Sequence, residues 1–266
     1  MRMLITNDDG IDAPGLAALV RAVKGLGSVF VVAPKEVQSA TSHAITLHRA
    51  VEVEPREFDW GEGYAVDGRP ADCVKLGLAG VLPGAPGAFD LVLSGINAGA
   101  NIGQNVLYSG TVGAAREASF QKVPAVAVSL HLDGMKKKPA PLWDRAAAHA
   151  REAIERTVAV GIEPGTLMNI NLPILEGGKE PLGTKLVTTA TKPPRASYKV
   201  HKTAPRPGSG VAGVGSYHLK GTMNVGRAQK GSDAEALFEG YVTLSPLHFD
   251  LNCEASHQRW ADAANG

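Results

Sequence analysis

The chain has 266 residues, 44% hydrophobic and 20% charged, a globular composition long enough to bury a large core. Its 27 Lys and Arg against 26 Asp and Glu leave a formal charge of +1, which gives no bulk attraction to nucleic acid or to an anionic membrane. Aromatic residues make up only 5%, so stacking platforms for single-stranded nucleic acid do not dominate, and two cysteines do not make a disulfide scaffold.

Strand-like and helix-like stretches alternate from the start. Leu4 and Ile5 form the body of a short buried strand over 1–6, and Gly10 allows a sharp turn behind it. The opening apolar run is too short for a secretory signal, and no stretch approaches the roughly 20 apolar residues that span a bilayer, so a cytoplasmic protein is expected. Helical spacing over 16–23, with Pro14 in the first turn, predicts a helix. Residues 28–33 (SVFVVA) predict a second buried strand ended by Pro34, and 46–53 with 64–66 a hairpin excursion. A helix over 70–82 holds Cys73, Val74, Leu76 and Leu78, with Cys73 as a small core residue. A third core strand covers 89–93 (FDLVL), a helix 109–120, a fourth strand 125–130 (AVAVSL), a long amphipathic helix 142–160 and a further strand 167–172 (LMNINL). Lys136-Lys137-Lys138 reads as an exposed loop. The alternation predicts an α/β fold, a Rossmann-like, doubly wound, mostly parallel sheet.

The second half changes character. Residues 192–215 hold Pro193, Pro194, Pro205, Pro207 and a Gly/Ser run from Gly208, with Lys192, Arg195, Lys199, Lys202 and Arg206 making the stretch basic. Such a segment reads as an extended arm, a hairpin or a surface loop; an RNA-binding arm is disfavoured because Tyr198 is its only aromatic residue. A helical pattern resumes over 233–238, and 241–247 (YVTLSPL) predicts a late strand stopped by Pro246. Cys253 lies in a polar tail, and a bridge to Cys73 stays open. The division is one domain over 1–266, with a core over 1–175 and arm and C-terminal segments over 176–266.

Four places carry chemistry, each after a predicted strand or at a helix start. Asn7-Asp8-Asp9-Gly10 follows the first strand. Two hard oxygen donors there suit a Mg²⁺-, Mn²⁺- or Ca²⁺-like ion, while a polar turn would use the same residues. The loop 33–43 after the second strand holds Ser39, a metal ligand, helix cap or phosphate contact, and His43, a phosphate donor or surface histidine. After the third strand, Gly95, Gly99 and Gly103 recur every four residues around Asn97 and Asn101. An Asn carbonyl can complete a hard metal's shell, and the glycines also suit a plain loop. At 108–117, Ser109, Gly110 and Thr111 open a helix whose free N–H groups and dipole favour a phosphate, or which Ser109 simply caps.

Together these segments point to metal-assisted hydrolysis of a phosphomonoester. The glycine loop around Gly95, Gly99 and Gly103 is not the G-x-G-x-x-G dinucleotide fingerprint, and Walker A, H-E-x-x-H and paired-Cys zinc motifs are absent. The order Asp8-Asp9-Gly10-Ile11-Asp12 does not fit the D-x-D of haloacid-dehalogenase-like phosphatases.

The same stretches closely resemble the SurE family, the stationary-phase survival proteins, which are divalent-metal-dependent 5′/3′-nucleotidases. The segments that carry the resemblance are NDDG at 7–10, SATSH at 39–43, DGRPADCV at 67–74, DLVLSGINAGANIG at 90–103, YSGTVGAARE at 108–117, VPAVAVSL at 123–130, MNINLP at 168–173 and YVTLSPL at 241–247. The resemblance implies one divalent cation per subunit, Mg²⁺ or Mn²⁺ with Ca²⁺ as an occupant, held by Asp8, Asp9, Ser39 and Asn97. It implies catalysis at Asp8 and Asp9, with the attacking group open between a water and Asp8. It places Asn7, Ser39, His43, Asn97, Ser109, Gly110 and Thr111 against phosphate or substrate. It implies a nucleoside 5′- and also 3′-monophosphate substrate, with polyphosphate cleavage or non-catalytic nucleotide sensing as the alternatives. It also implies a homodimer or homotetramer with exchanged C-terminal segments. The balanced charge and the lack of a spanning stretch lead us to expect no membrane partner and disfavour a nucleic-acid one. Two positions depart from the family pattern: Ala40 stands where Gly often follows the ligand serine, and Arg69 where Thr is usual.

Overall fold

A computed structural model describes residues 1–132, 140–174, 176–191, 195–203, 215–222 and 228–264. Its centre is a nine-stranded, mostly parallel sheet. The first strand, β1 (Arg2–Thr6), is buried along its last four residues because apolar side chains leave on both faces. Met3 and Ile5 enter a core under α1 (Pro14–Val23) and α5 (Ala140–Val160), where Leu16, Leu19, Trp143 and Ile154 pack. Leu4 enters the opposite core under α2 (Pro70–Leu78) and α4 (Gly110–Phe120), with Val74, Val112 and Ala115. Burying a side chain of this size contributes about 1.5–3 kcal/mol, so these two layers outweigh solvent-screened surface ion pairs such as Arg2–Asp90.

The sheet order places the site. β1 is flanked by β2 (Ser28–Pro34) on one side and β5 (Leu91–Asn97) on the other, both parallel to it. The chain moves outward from β1 to β2, then returns across β1 to β5, so β1 and β5 border the point where strand order reverses. On the β5 side follow β6 (Ala125–Leu130) and β7 (Thr166–Leu172), which is then paired by a later antiparallel strand. The short helix α3 (Asn105–Tyr108) leads into α4.

Several boundaries differ from the sequence expectation. The hairpin is β3 (Val53–Phe58) and β4 (Gly61–Val66), so the pairing begins later than 46 and uses the charged stretch around Asp59. Phe58 stacks on the buried Trp60 at 4.3 Å between ring centroids, which anchors a turn that composition alone marks as loop. The helix from Pro70 stops at Leu78, short of 82, and Gly80 follows with φ +66. β8 (Thr184–Leu186) and the terminal α7 (Glu254–Ala264) carry no predicted counterpart.

The predicted arm is a separate antiparallel hairpin of β9 (Arg195–Thr203) and β10 (Gly215–Thr222). Its tip at 204–214, with Pro205, Pro207 and Gly208, lies outside the described residues, as do Lys192, Pro193, Pro194 and the Lys136–Lys138 run. After α6 (Asp233–Glu239), β11 (Val242–His248) inserts between β7 and β8, so residues beyond 175 supply two strands of the central sheet as well as the arm. Pro246 sits inside β11 rather than ending it; β8 pairs only Val242–Leu244, so that flank has no strand at Pro246. Cys73 is buried, Cys253 is exposed, and no disulfide joins them. Among the described residues no helix is long and apolar enough to cross a membrane.

Candidate functional site

The turn after β1 is built from inside. Asn7 donates its amide Nδ2–H to the Gly10 carbonyl at 2.8 Å, and Gly10 takes φ +94, a conformation that favours glycine. Asn7 is fully buried, and through this bond it braces the turn. Asp8 and Asp9 are thereby held at the strand-order reversal.

Three other segments close on them. From α4, the Thr111 hydroxyl donates to Asp8 Oδ1 at 2.5 Å. Gly110 lies so close that a Cβ there would stand 2.8 Å from Asp8 Cβ, so only glycine lets the helix start abut the carboxylate. From the loop after β2, Gln38 N–H donates to the Asp8 carbonyl at 2.7 Å. From the end of β5, Ala98 N–H donates to Asp9 Oδ2 at 2.7 Å. The loops that sequence reading selected separately therefore meet at Asp8 and Asp9.

Burial pushes the Asp8 carboxyl up from its ordinary 3.8 to about 6, and the charge of Asp9 adds to that rise against the hydrogen bonds from Thr111. The N-terminus of α4, which abuts Asp8, adds a positive field from its backbone dipoles. Ser109 is its N-cap, accepting from Val112 N–H at 3.1 Å.

The remaining candidates are placed as follows. Asn97 commits its Nδ2–H to the Gly99 carbonyl at 2.6 Å, which leaves its amide oxygen as the atom for an incoming ligand. Ser39 is exposed, next to Gln38. His43 packs against α4, its Nε2 2.9 Å from Glu117 Oε2 and its ring stacked on Phe120, so a substrate contact from it would use Nδ1. Glu117 also accepts from Lys75 at 2.8 Å and from Gln121. Burial by itself raises the Glu117 carboxyl, but the bonds from His43, Lys75 and Gln121 prevail and hold it at about 2.

Both departures from the family pattern have a structural reading. Arg69 donates to Gln38 Oε1 at 2.7 Å, tying the start of α2 to the Ser39 loop. Ala40 takes φ +56, a left-handed backbone at which glycine is the relaxed choice. Sequence reading missed Asp72, which accepts from Thr46 N–H at 3.0 Å and from the Thr46 hydroxyl at 2.7 Å to hold the far end of that loop. Its signal was an acidic residue at the third position of a helix opened by Pro70. It also missed Asp233, whose Oδ2 accepts from Gly103 N–H at 2.9 Å, and no local signal links residues 130 positions apart.

Fold and site together define an open α/β protein with an acidic, oxygen-lined constellation where its strand order reverses. Residues 3–198 match the family model of the survival protein SurE. The chain is 39% identical over 267 residues to the 5′-nucleotidase SurE of Geotalea uraniireducens, covering 98% of this chain and 99% of that protein. It is 41% identical over 259 residues to the 5′-nucleotidase SurE of Geobacter metallireducens, covering 96% and 94%. The crystal structure of the SurE protein from Aquifex aeolicus superposes with a TM-score of 0.78 at 31% identity, covering 97% of this chain and 98% of that one. The chain belongs to the SurE family.

Proposed function

We propose that this chain is a divalent-metal-dependent 5′-nucleotidase, a phosphomonoesterase that releases nucleoside and phosphate from nucleoside 5′-monophosphates. The observation that carries the reading is the abutment of Asp8, beside Asp9, on the N-terminus of α4. Carboxylates for a cation and backbone N–H groups for an anion then share one point. Relatives about 40% identical over nearly the whole chain are named for that activity.

The donor chemistry fits a hard cation. Asp8, Asp9, Ser39 and Asn97 offer only oxygen, and burial opposes a bare charge on Asp8 while no cationic side chain among the described residues bonds it. One Mg²⁺ or Mn²⁺ per subunit, with Ca²⁺ able to occupy the site, would polarise the phosphoryl group and lower the pKa of a bound water. The chain's own residues do the rest. Gly110 and Thr111 present the first N–H groups of α4 to phosphate oxygens, Ser109 holds that helix start, and the Thr111 hydroxyl orients Asp8. We place the enzyme in the cytoplasm, in keeping with two cysteines that form no disulfide, as a homodimer or homotetramer.

The test is phosphate release from 5′-AMP, 3′-AMP and tripolyphosphate with Mg²⁺, with Mn²⁺ and after chelation. Release from 5′-AMP is expected, lost on chelation and lowered by about 100-fold or more in Asp8→Asn. Release that survives both the chelator and the substitution would refute the metal mechanism. Binding without release would make the protein a nucleotide sensor, and preferred cleavage of tripolyphosphate an exopolyphosphatase.

A further inference from the structure

β7 carries polarity that its burial does not call for. Asn169 and Asn171 alternate with Met168, Ile170 and Leu172, and both asparagines are fully buried. An amide left unsatisfied in such an interior costs about 1–3 kcal/mol per group, so apolar residues are the default. Both amides converge on one backbone residue, Asn101, in the glycine loop that follows β5. Asn171 Oδ1 accepts from Asn101 N–H at 2.8 Å, and Asn171 Nδ2–H donates to the Asn101 carbonyl at 3.1 Å. Asn169 Nδ2–H donates to the same carbonyl at 2.8 Å. The Asn101 side chain in turn donates to Ser129 Oγ at 2.8 Å.

One side-chain amide thus engages both polar atoms of a backbone unit, the pairing that a neighbouring strand would otherwise make. No strand can do so here, because β6 separates β7 from β5 in the sheet. The loop is fixed at three places: Ala98 by Asp9, Asn101 by Asn171 and Gly103 by Asp233. Asn97 stands at the β5 end of the same loop.

We propose that Asn171 is a positioning residue for the active site: by clamping Asn101 it sets where Asn97 stands relative to Asp8 and Asp9. The effect on metal rests on the reading of Asn97 as an oxygen donor to the cation; the clamp itself does not. The test compares Asn171→Leu with Thr243→Val. Thr243 lies directly opposite Asn171 in the β7–β11 ladder, is fully buried, and its hydroxyl makes no hydrogen bond, so Thr243→Val disturbs the same layer without touching the loop. Should Asn171→Leu not fold, Asn171→Ser, whose hydroxyl is too short for the double bond pattern, carries the same comparison.

Three readouts are expected to agree. Hydrogen exchange at the Asn101 amide accelerates in Asn171→Leu and not in Thr243→Val. Mn²⁺ affinity, read by electron paramagnetic resonance, falls by about 10-fold or more in Asn171→Leu alone. In an Asn97→Ala background the same substitution changes Mn²⁺ affinity by less than about 2-fold, because the clamp then has no ligand to position. Unchanged exchange at Asn101, additive losses with Asn97→Ala, or equal losses in Thr243→Val would each overturn the proposal. A wild-type protein that binds no Mn²⁺ would overturn the metal reading and the link to Asn97, and the exchange experiment would still decide the clamp.

Discussion

Asp8 carries two demands that pull against each other. Its position deep at the end of β1 makes ionisation costly, and the adjoining Asp9 makes it costlier, while Thr111 and the start of α4 favour the charged form. The cation of the proposed function would remove both penalties at once. A neighbouring residue shows the reverse economy. Ala40 is exposed yet holds φ +56, where a side chain costs about 1 kcal/mol. Ala40→Gly is expected to raise stability by about 0.5 kcal/mol after glycine's greater unfolded-state freedom is subtracted. Urea denaturation of the two proteins measures this, and a less stable glycine variant would show that the loop is not strained there.

At the scale of the element, α4 works at both of its ends. Its first turn meets Asp8, and two turns on Glu117 gathers His43 and Lys75, pinning the loop after β2 and the helix α2 to the same surface. The Glu117 carboxyl is held at about 2 against an ordinary 4.5. A lowered carboxyl contributes stability that is complete above its unfolded value and is lost as pH falls through the folded one. Glu117→Gln is therefore expected to cost about 2 kcal/mol at pH 7, the partly exposed Lys75 limiting the figure. The gap between wild type and variant should shrink by about half between pH 5 and pH 3. Urea titrations across that range decide it, and a gap independent of pH would remove Glu117's charge from the account.

For the whole molecule, the β9–β10 hairpin stands apart from the central sheet. Tyr198, Val200 and Tyr217 share one face by register and are 71%, 60% and 55% exposed. An exposed aromatic face on a two-stranded ribbon is costly in a lone protomer, because an isolated hairpin is marginal in water. Cover from a second subunit would account for it. The double substitution Tyr198→Ser and Tyr217→Ser is expected to shift the proposed oligomer toward monomer in light scattering after size exclusion, with the protomer's circular dichroism unchanged. An unaltered oligomer would mean that the hairpin does not hold subunits together.

Much of this was legible in the chain. Buried strands with apolar residues on both faces, each followed by a helix, dictate a mostly parallel sheet, because only helices on both sides satisfy such strands. Asp8, Asp9, Asn97 and Thr111 stood out as polar residues placed immediately after strands or at a helix start, where open α/β sheets bind ligands. What remained hidden depends on contacts between remote positions. That Asn7 turns inward, that β11 enters the central sheet beside β7, that Asp233 reaches Gly103 and that Asn171 grips Asn101 follow from how layers stack. Local propensity and periodicity describe a residue's own element and the face it presents. They do not say which distant backbone that face will meet, and tertiary packing alone supplies that choice.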